Sequence, residues 1–434
     1  MKESFIGKIV RTLATSGITI LLGIITSIII ARSLGPAGKG AYVIIIQTIS
    51  IFIALGQFGL PEVLLHQLGA KNWKLQDFAG VSFLLLIVST LLIGAILLIV
   101  YPILSSSIFK DIDFHLIKLT FLMVPFSLAF IFYNRLIQLR GHIGIYNLMR
   151  ISNAVISLIS LLVWLQFWQN QIQAALLALI SSQALVAVLS IYLFRRNITK
   201  DKWTIKLRLL WEVIRNGMKV QFGMVVVILG DKLGIFVLNM YMDLSAVGWF
   251  SLSIAISHFL LLFSISTRDV LQSWMTGEEH TSKEVLEKTT LLIRNLIILL
   301  LGGSLILAIV GRPLINIVYG IAFIPAYTPM LVLLIGIIAR GLGQIFSSYL
   351  ALQNYLGLPS ISAFIGVSIN LLLALWLVPQ NGIIGAAIAT MAGQLVSLLF
   401  LMVCFIRITD CSIFEFVPGV EDIRHSILAL RKMM

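Results

Sequence analysis

Charge is what this sequence has least of. Of its 434 residues only 11% are Asp, Glu, Lys or Arg, while 59% are apolar. Soluble domains carry about 25% charge, so a water-soluble fold of this length would leave large apolar surfaces in solvent and is excluded. Cysteine is nearly absent as well: Cys404 and Cys411 lie at or past the end of the last apolar run, where no disulfide is expected. The stretch GEEHTSKE around His280 carries no second His at ligand spacing and reads as a solvated loop, not a zinc site. No glycine-rich loop ending in Gly-Lys-Ser or Gly-Lys-Thr occurs, so energy does not come from ATP bound by this chain. Acids are outnumbered, 18 against 31 bases, for a net charge of +13. Without a polar domain to display it, that excess does not point to nucleic acid.

What is present is a series of apolar runs. A hydrocarbon core of about 30 Å is crossed by about 20 helical residues, and runs of that length recur near 12–31, 41–60, 80–103, 114–137, 146–168 and 173–194. A second series follows near 217–241, 246–268, 289–310, 326–352, 359–378 and 383–405. Lipid-facing strands would alternate with period two, and these do not. The spacing predicts an all-α polytopic membrane protein with twelve transmembrane helices. Gly35, Pro36, Gly38 and Gly40 are read as the turn between the first two. The apolar run after Lys2, Lys8 and Arg11 is too long for a signal peptide and is kept as helix one.

Basic residues give an orientation. With a cytoplasmic N-terminus, inner segments hold 23 Lys and Arg, outer loops hold Arg32, Lys39, Lys110 and Arg312, and four lie within spans. That is the positive-inside pattern, and it predicts that both termini are cytoplasmic. The densest basic segment starts at Arg195, where Trp203, Leu207, Leu210, Trp211 and Ile214 recur at helical spacing. It reads either as an amphipathic helix on the inner leaflet or as a solvated linker. The expected organisation is a six-helix lobe over 1–194, an amphipathic cytoplasmic linker over 195–216, a second lobe over 217–406 and a cytoplasmic tail over 407–434. Thr281 and Glu284 are spaced to cap a short helix in the Arg268–Lys288 loop.

The halves are alike. WQNQIQAALLALISSQ from Trp168 matches PQNGIIGAAIATMAGQ from Pro379, with Gln169, Asn170 and Gln183 aligned to Gln380, Asn381 and Gln394. LGPAGKGAY from Leu34 pairs with MDLSAVGWF from Met242. Six spans return the chain to its starting side, so the lobes are parallel repeats flanking a central cavity, an architecture of transporters.

Three stretches carry a family resemblance: ARSLGPAGKGAYVIIIQTISIFIALGQFGLPEVLLHQLG, GDKLGIFVLNMYMDLSAVGWFSLSIAIS and LPSISAFIGVSINLLLALWLVPQNGIIGAAIAT. Over about Lys8–Ile406 the chain resembles the Wzx-type flippases of the multidrug, oligosaccharidyl-lipid and polysaccharide exporter superfamily. The resemblance implies a non-enzymatic transporter in the bacterial inner membrane. Its cargo would be polyprenyl-pyrophosphate-linked oligosaccharide for surface polysaccharide such as O-antigen or exopolysaccharide. It would work by alternating access, beside other polysaccharide assembly proteins. A multidrug exporter of the same superfamily is the first alternative, and a membrane glycosyltransferase or polymerase, set back by the short outer loops, the second.

A charge at mid-bilayer costs about 2.5–3.5 kcal/mol on insertion scales, so charges within spans are candidates for function. Arg340 is the deepest and Lys232 follows Asp231, while Lys118 and Arg294 lie near span ends where they could instead snorkel to the surface. With Arg32, these form a candidate set for binding pyrophosphate. Arg340 is expected to lack enough fixed partners to be merely paired. Asp231 is either a site of coupling to sodium or protons or the neutraliser of a base on another helix. Asn370 and Thr390 offer oxygens to the same cation, or pack helices beside the small residues Gly385, Ala389 and Gly393. The resemblance implies a sodium-type site on these helices with a second acid, but Ala374 stands one turn after Asn370. His258 reads as a hydrogen-bonded residue or a proton relay. No cofactor is expected.

Overall fold

A computed structural model describes residues 5–61, 63–64, 74–105, 107–199, 201–275, 281–355, 357–416 and 419. His280 and nearly all of the tail past Phe416 lie outside them. The described residues form helices and no strand. In chain order the α-helices are α1 Phe5–Gly56, α2 Leu75–Leu104, α3 Phe114–Phe121, α4 Met123–Leu139, α5 Ile143–Phe167, α6 Gln171–Asn197 and α7 Leu207–Tyr241. There follow α8 Leu244–His258, α9 Leu261–Met275, α10 Ser282–Tyr319, α11 Tyr327–Leu352 and α12 Gly357–Thr409. Short 3-10 helices occupy Ile321–Ala326 and Ile413–Phe416.

Among the described residues eight helical stretches are long and apolar enough to cross a membrane, or nine if α8 and α9, bent by 41°, make one span. The difference from the expected twelve has local causes. α1 is interrupted at Gly35, whose φ of 66° and ψ of −178° are not helical, and α12 at Gly382, with φ 54° and ψ −128°. Pro36 and Pro379 flank these breaks; each removes a backbone donor, and glycine takes the positive φ without a Cβ clash. α7, which carries Asp231 and Lys232, is not among the eight. The first turn is also shorter than expected. Gly38, Lys39 and Gly40 continue as helix, and Lys39 is 5% exposed instead of standing in an outer loop.

The chain divides into two compact units, Met1–Val225 and Val226–Met434. In each, the interior is built from aromatic anchors and small polar residues. Tyr133, Phe132, Phe78 and Phe194 are fully buried in the first, and Phe250, Phe323, Phe346 and Phe405 in the second. The outward faces are the oily ones: Leu91, Ile103, Phe167 and Ile309 all stand about two-thirds exposed or more. Apolar outside with serine and asparagine inside is the distribution a hydrocarbon solvent selects.

Breaks and caps recur between the units. Asn170 caps α6 by accepting from the amides of Ile172 and Gln173, and Asp243 caps α8 by accepting from Ala246. Gly141 after α4 and Asn354 after α11 both take positive φ, 80° and 67°. Thr281 and Glu284 form the expected capping box, yet the helix they open is the 38-residue α10, not a short one.

The basic linker is corrected in two ways. Trp203 precedes the helix, in an extended stretch, and stacks on Tyr133 with ring centroids 5.4 Å apart while Arg195 lies 4.7 Å over it. Thr204 pins that stretch to α2 through its amide to the Gln76 carbonyl (3.3 Å) and its hydroxyl to Asp77. The helix then begins at Leu207 and runs without interruption into the predicted seventh span. Its buried face is Leu209 and Val213, continued by Gly217 and Gln221, while Leu207, Trp211 and Met218 make a second, exposed apolar face. Gln221 closes the contact by donating to the Ala54 carbonyl (2.5 Å) and accepting from the Gly59 amide (3.0 Å).

Candidate functional site

The second unit brings together charges that lie far apart in sequence. Asp231 stands on α7 one residue after Gly230, whose missing Cβ leaves room for Val367 of α12. Arg340 comes from the middle of α11, between the buried Ala339 and Gly341. The packing of Gly341 against Ser264 and Leu300 requires the absence of a side chain there. Arg340 Nη1 and Nη2 donate to Asp231 Oδ1 and Oδ2 at 2.5 and 2.8 Å, a two-pronged pair of the strong kind. Arg340 is therefore not the unpartnered guanidinium expected from sequence. Counting acids along the chain missed this because pairing depends on which helix faces meet. The pair is accessible all the same, with 25% of the Arg340 and 39% of the Asp231 side chain exposed.

Two further titratable groups surround it. His258, at the end of α8, lies within electrostatic reach of both Arg340 and Asp231. Lys232 interacts with Asp231 from the next position on α7. No spacing along the chain joins residues 231, 258 and 340, since each stands on a different helix.

Asn370 and Thr390 flank the neighbouring backbone. Asn370 is buried and donates from Nδ2 to the Gly230 carbonyl at 3.4 Å, while its Oδ1 is buried without a partner among the described residues. Thr390 spends its hydroxyl on the Ala386 carbonyl, 2.9 Å away, and lies close to Gly234. Gly366 and Gly393 let the two arms of α12 approach so closely that a Cβ on Gly393 would sit 2.9 Å from that of Asn370. Asn370 thus stands at a packing seam with one oxygen left over.

The remaining predicted site residues are not part of this group. Lys118 is exposed and sits 4.8 Å over the Phe114 ring. Arg32 is exposed on α1. Arg294 donates from Nε to the Glu415 carbonyl at 2.6 Å, which ties the 3-10 turn after α12 to α10. Phe416 of that turn packs on Phe346 and Phe405.

Comparisons with known proteins agree with this architecture. A family model described as polysaccharide biosynthesis protein matches residues 7–271. Among solved structures, the lipid II flippase MurJ in an inward closed conformation superposes with a TM-score of 0.77 at 16% identity, over 97% of this chain and 92% of that one. An inward-facing multidrug resistance transporter of the MATE family superposes with a TM-score of 0.68 at 14% identity, covering 90% and 94%. A MOP-superfamily transporter from Pyrococcus furiosus gives 0.61 at 14%, covering 93% and 96%. No curated protein sequence matches.

Proposed function

Because the chain belongs to the polysaccharide biosynthesis protein family and is a multi-pass membrane protein with a MOP-type transporter fold, we propose that it is a flippase. Its cargo on this reading is a polyprenyl-pyrophosphate-linked oligosaccharide, carried from the inner to the outer leaflet of the bacterial cytoplasmic membrane for surface polysaccharide synthesis. The chain acts as a transporter and makes no covalent bond. Twelve spans in two parallel lobes and cytoplasmic termini complete the proposal, supported by the breaks at Gly35 and Gly382 and by the basic inner segments.

The observation that carries it is the accessible Arg340–Asp231 pair on a fold shared with a lipid flippase. A pyrophosphate competes with Asp231 for the guanidinium, and a sodium ion or proton competes with Arg340 for the carboxylate. Each breaks the same pair, so each makes room for the other, and the coupling is reciprocal by linkage. Asn370 Oδ1 is a candidate further ligand for a hard cation, and Lys232 a second charge for the anion. The likeness to a MATE transporter supports a second reading, export of organic cations drawn by Asp231 with Arg340 displaced.

Reconstitution in liposomes decides between them. A flippase exposes a fluorescent lipid-linked oligosaccharide to an external quencher faster than protein-free vesicles do, and faster still under an inward cation gradient. Gradient-driven efflux of a cationic dye with no movement of the lipid would instead favour the exporter.

A further inference from the structure

The first unit holds a polar cleft that the Asp231–Arg340 group leaves out. It encloses about 540 Å³ among α1, α4 and α5, within the range of about 300–1,000 Å³ usual for small-ligand sites. Arg135, Arg150, Asn134, Gln138, Tyr146 and Asn153 supply most of its polar lining, and no acidic residue lines it among the described residues.

Arg135 is held from two sides, by Nη1 on Gln138 Oε1 (2.7 Å) and Nε on the Pro61 carbonyl (3.4 Å). Arg150 lies 5.8 Å from the Tyr146 ring centroid and directs both Nη atoms at Ser16 Oγ, each 3.4 Å away. These partners are neutral, so among the described residues nothing in the cleft compensates the two positive charges. Asn134 is 5% exposed, and its Oδ1 is buried with no hydrogen-bond partner among the described residues. A buried unpaired amide oxygen costs free energy unless a donor completes it.

The fold does not require this set. Counting along the sequence from the positive-φ residues Gly141 and Asn354, which follow α4 and α11 and lie 213 positions apart, pairs residues of the two units. At that separation Asn134, Arg135, Gln138, Arg150 and Asn153 correspond to Ser347, Ser348, Ala351, Ala363 and Gly366. The same helix turn is thus built in the second unit without arginine or carboxamide at any of these positions.

The geometry points to a loading site for the sugar-diphosphate head of the transported lipid: Arg135 and Arg150 take the diphosphate, while Asn134, Gln138, Asn153 and Tyr146 meet the hydroxyls and face of the first sugar. Two guanidiniums with no carboxylate partner among the described residues match a diphosphate, and the Asn134 oxygen needs the kind of donor a sugar hydroxyl supplies. This rests on the flippase reading. On the proposed topology the cleft lies toward the cytoplasmic ends of its helices, where cargo is collected.

The test uses the full chain in phosphatidylcholine nanodiscs, titrated with farnesyl diphosphate-linked N-acetylglucosamine and with farnesyl diphosphate, plus the liposome transport assay. Arg135→Gln and Arg150→Gln are each expected to weaken both probes about ten-fold or more, the loss of one charge-assisted contact. Arg150→Lys should lose less, and Asn134→Ala should weaken only the sugar-bearing probe. Arg312→Gln, exposed elsewhere, should bind as wild type, and unchanged circular dichroism and Tm certify folding. If the wild type transports and binds but both glutamine variants bind equally well, the loading site is wrong and the flippase stands. If phosphatidylglycerol occupies the cleft through these arginines and the sugar-bearing probe does not bind, the assignment of the headgroup is overturned. Absence of wild-type transport overturns the flippase reading itself.

Discussion

Arg340 and Asp231, 109 residues apart in sequence, face each other across α11 and α7 through two hydrogen bonds of 2.5 and 2.8 Å. Each charge offsets part of the other's desolvation, and removing one leaves its partner uncompensated in a largely apolar setting. On the proposed function the pair is a two-state element: closed on itself, or opened by a cation and an anion together.

Substitution at either residue should destabilise, and substitution at both should partly restore. Arg340→Gln and Asp231→Asn are each expected to lower thermal stability in detergent by about 1–3 kcal/mol, scaled down because both groups retain solvent access. The double variant should lose less than the sum. Strict additivity in that cycle would mean that the two residues do not interact energetically.

Transport should separate the two charges. Arg340→Gln is expected to abolish export of lipid-linked oligosaccharide at wild-type abundance, and Arg340→Lys to keep part of it, since the charge survives but the two-pronged geometry does not. Asp231→Asn should leave lipid binding intact while transport no longer responds to a cation gradient. Gradient-driven transport at the wild-type rate in that variant would reduce the pair to a structural clamp.

Orientation is checked at Lys206, an exposed residue of the stretch before α7. In a background with Cys404 and Cys411 replaced by serine, Lys206→Cys should react with an impermeant maleimide only from the cytoplasmic side. Labelling in intact cells would invert the map.

The contact of α7 with the end of α1 depends on Gly217. A Cβ there would meet the Phe58 carbonyl, and Gly59 opposite, at φ 66°, faces the Gly217 backbone just as closely. Gly217→Val should cost about 1–3 kcal/mol by overpacking and raise hydrogen exchange at Gln221. Wild-type thermal stability in this variant would show that the helices separate without penalty.

The turn after α12 should respond to pH. Glu415 accepts from the Ser412 amide at 3.1 Å and from the Cys411 thiol at 3.3 Å, and these hydrogen bonds, the amide first, hold its carboxyl below its ordinary value of 4.5. A depressed carboxylate contributes stability that is fully present above its unfolded value and is lost as pH falls through the folded one. Proteolysis near Phe414 should therefore increase on acidification below 4.5, and Glu415→Gln should remove that dependence. A turn equally protected well below and well above that value would contradict it.

The sequence by itself determined the helices, the membrane, the breaks and the caps. Hydropathy runs, Gly35 beside Pro36, Gly382 after Pro379, Asn170 and the Thr281–Glu284 box all act within a few residues, so they are legible locally. It also marked Asp231 and Arg340 as candidate charges within spans, because a charge in the membrane is costly wherever it sits. What only the tertiary structure decided is which faces meet. In lipid an outward leucine and an inward one are solvated alike, so an apolar helix does not declare its rotation about its own axis. For that reason the burial of Lys39, the stacking of Trp203 on Tyr133, the union of Arg340 with Asp231 beside His258 and the cleft of Arg135 and Arg150 emerge only once the helices are packed.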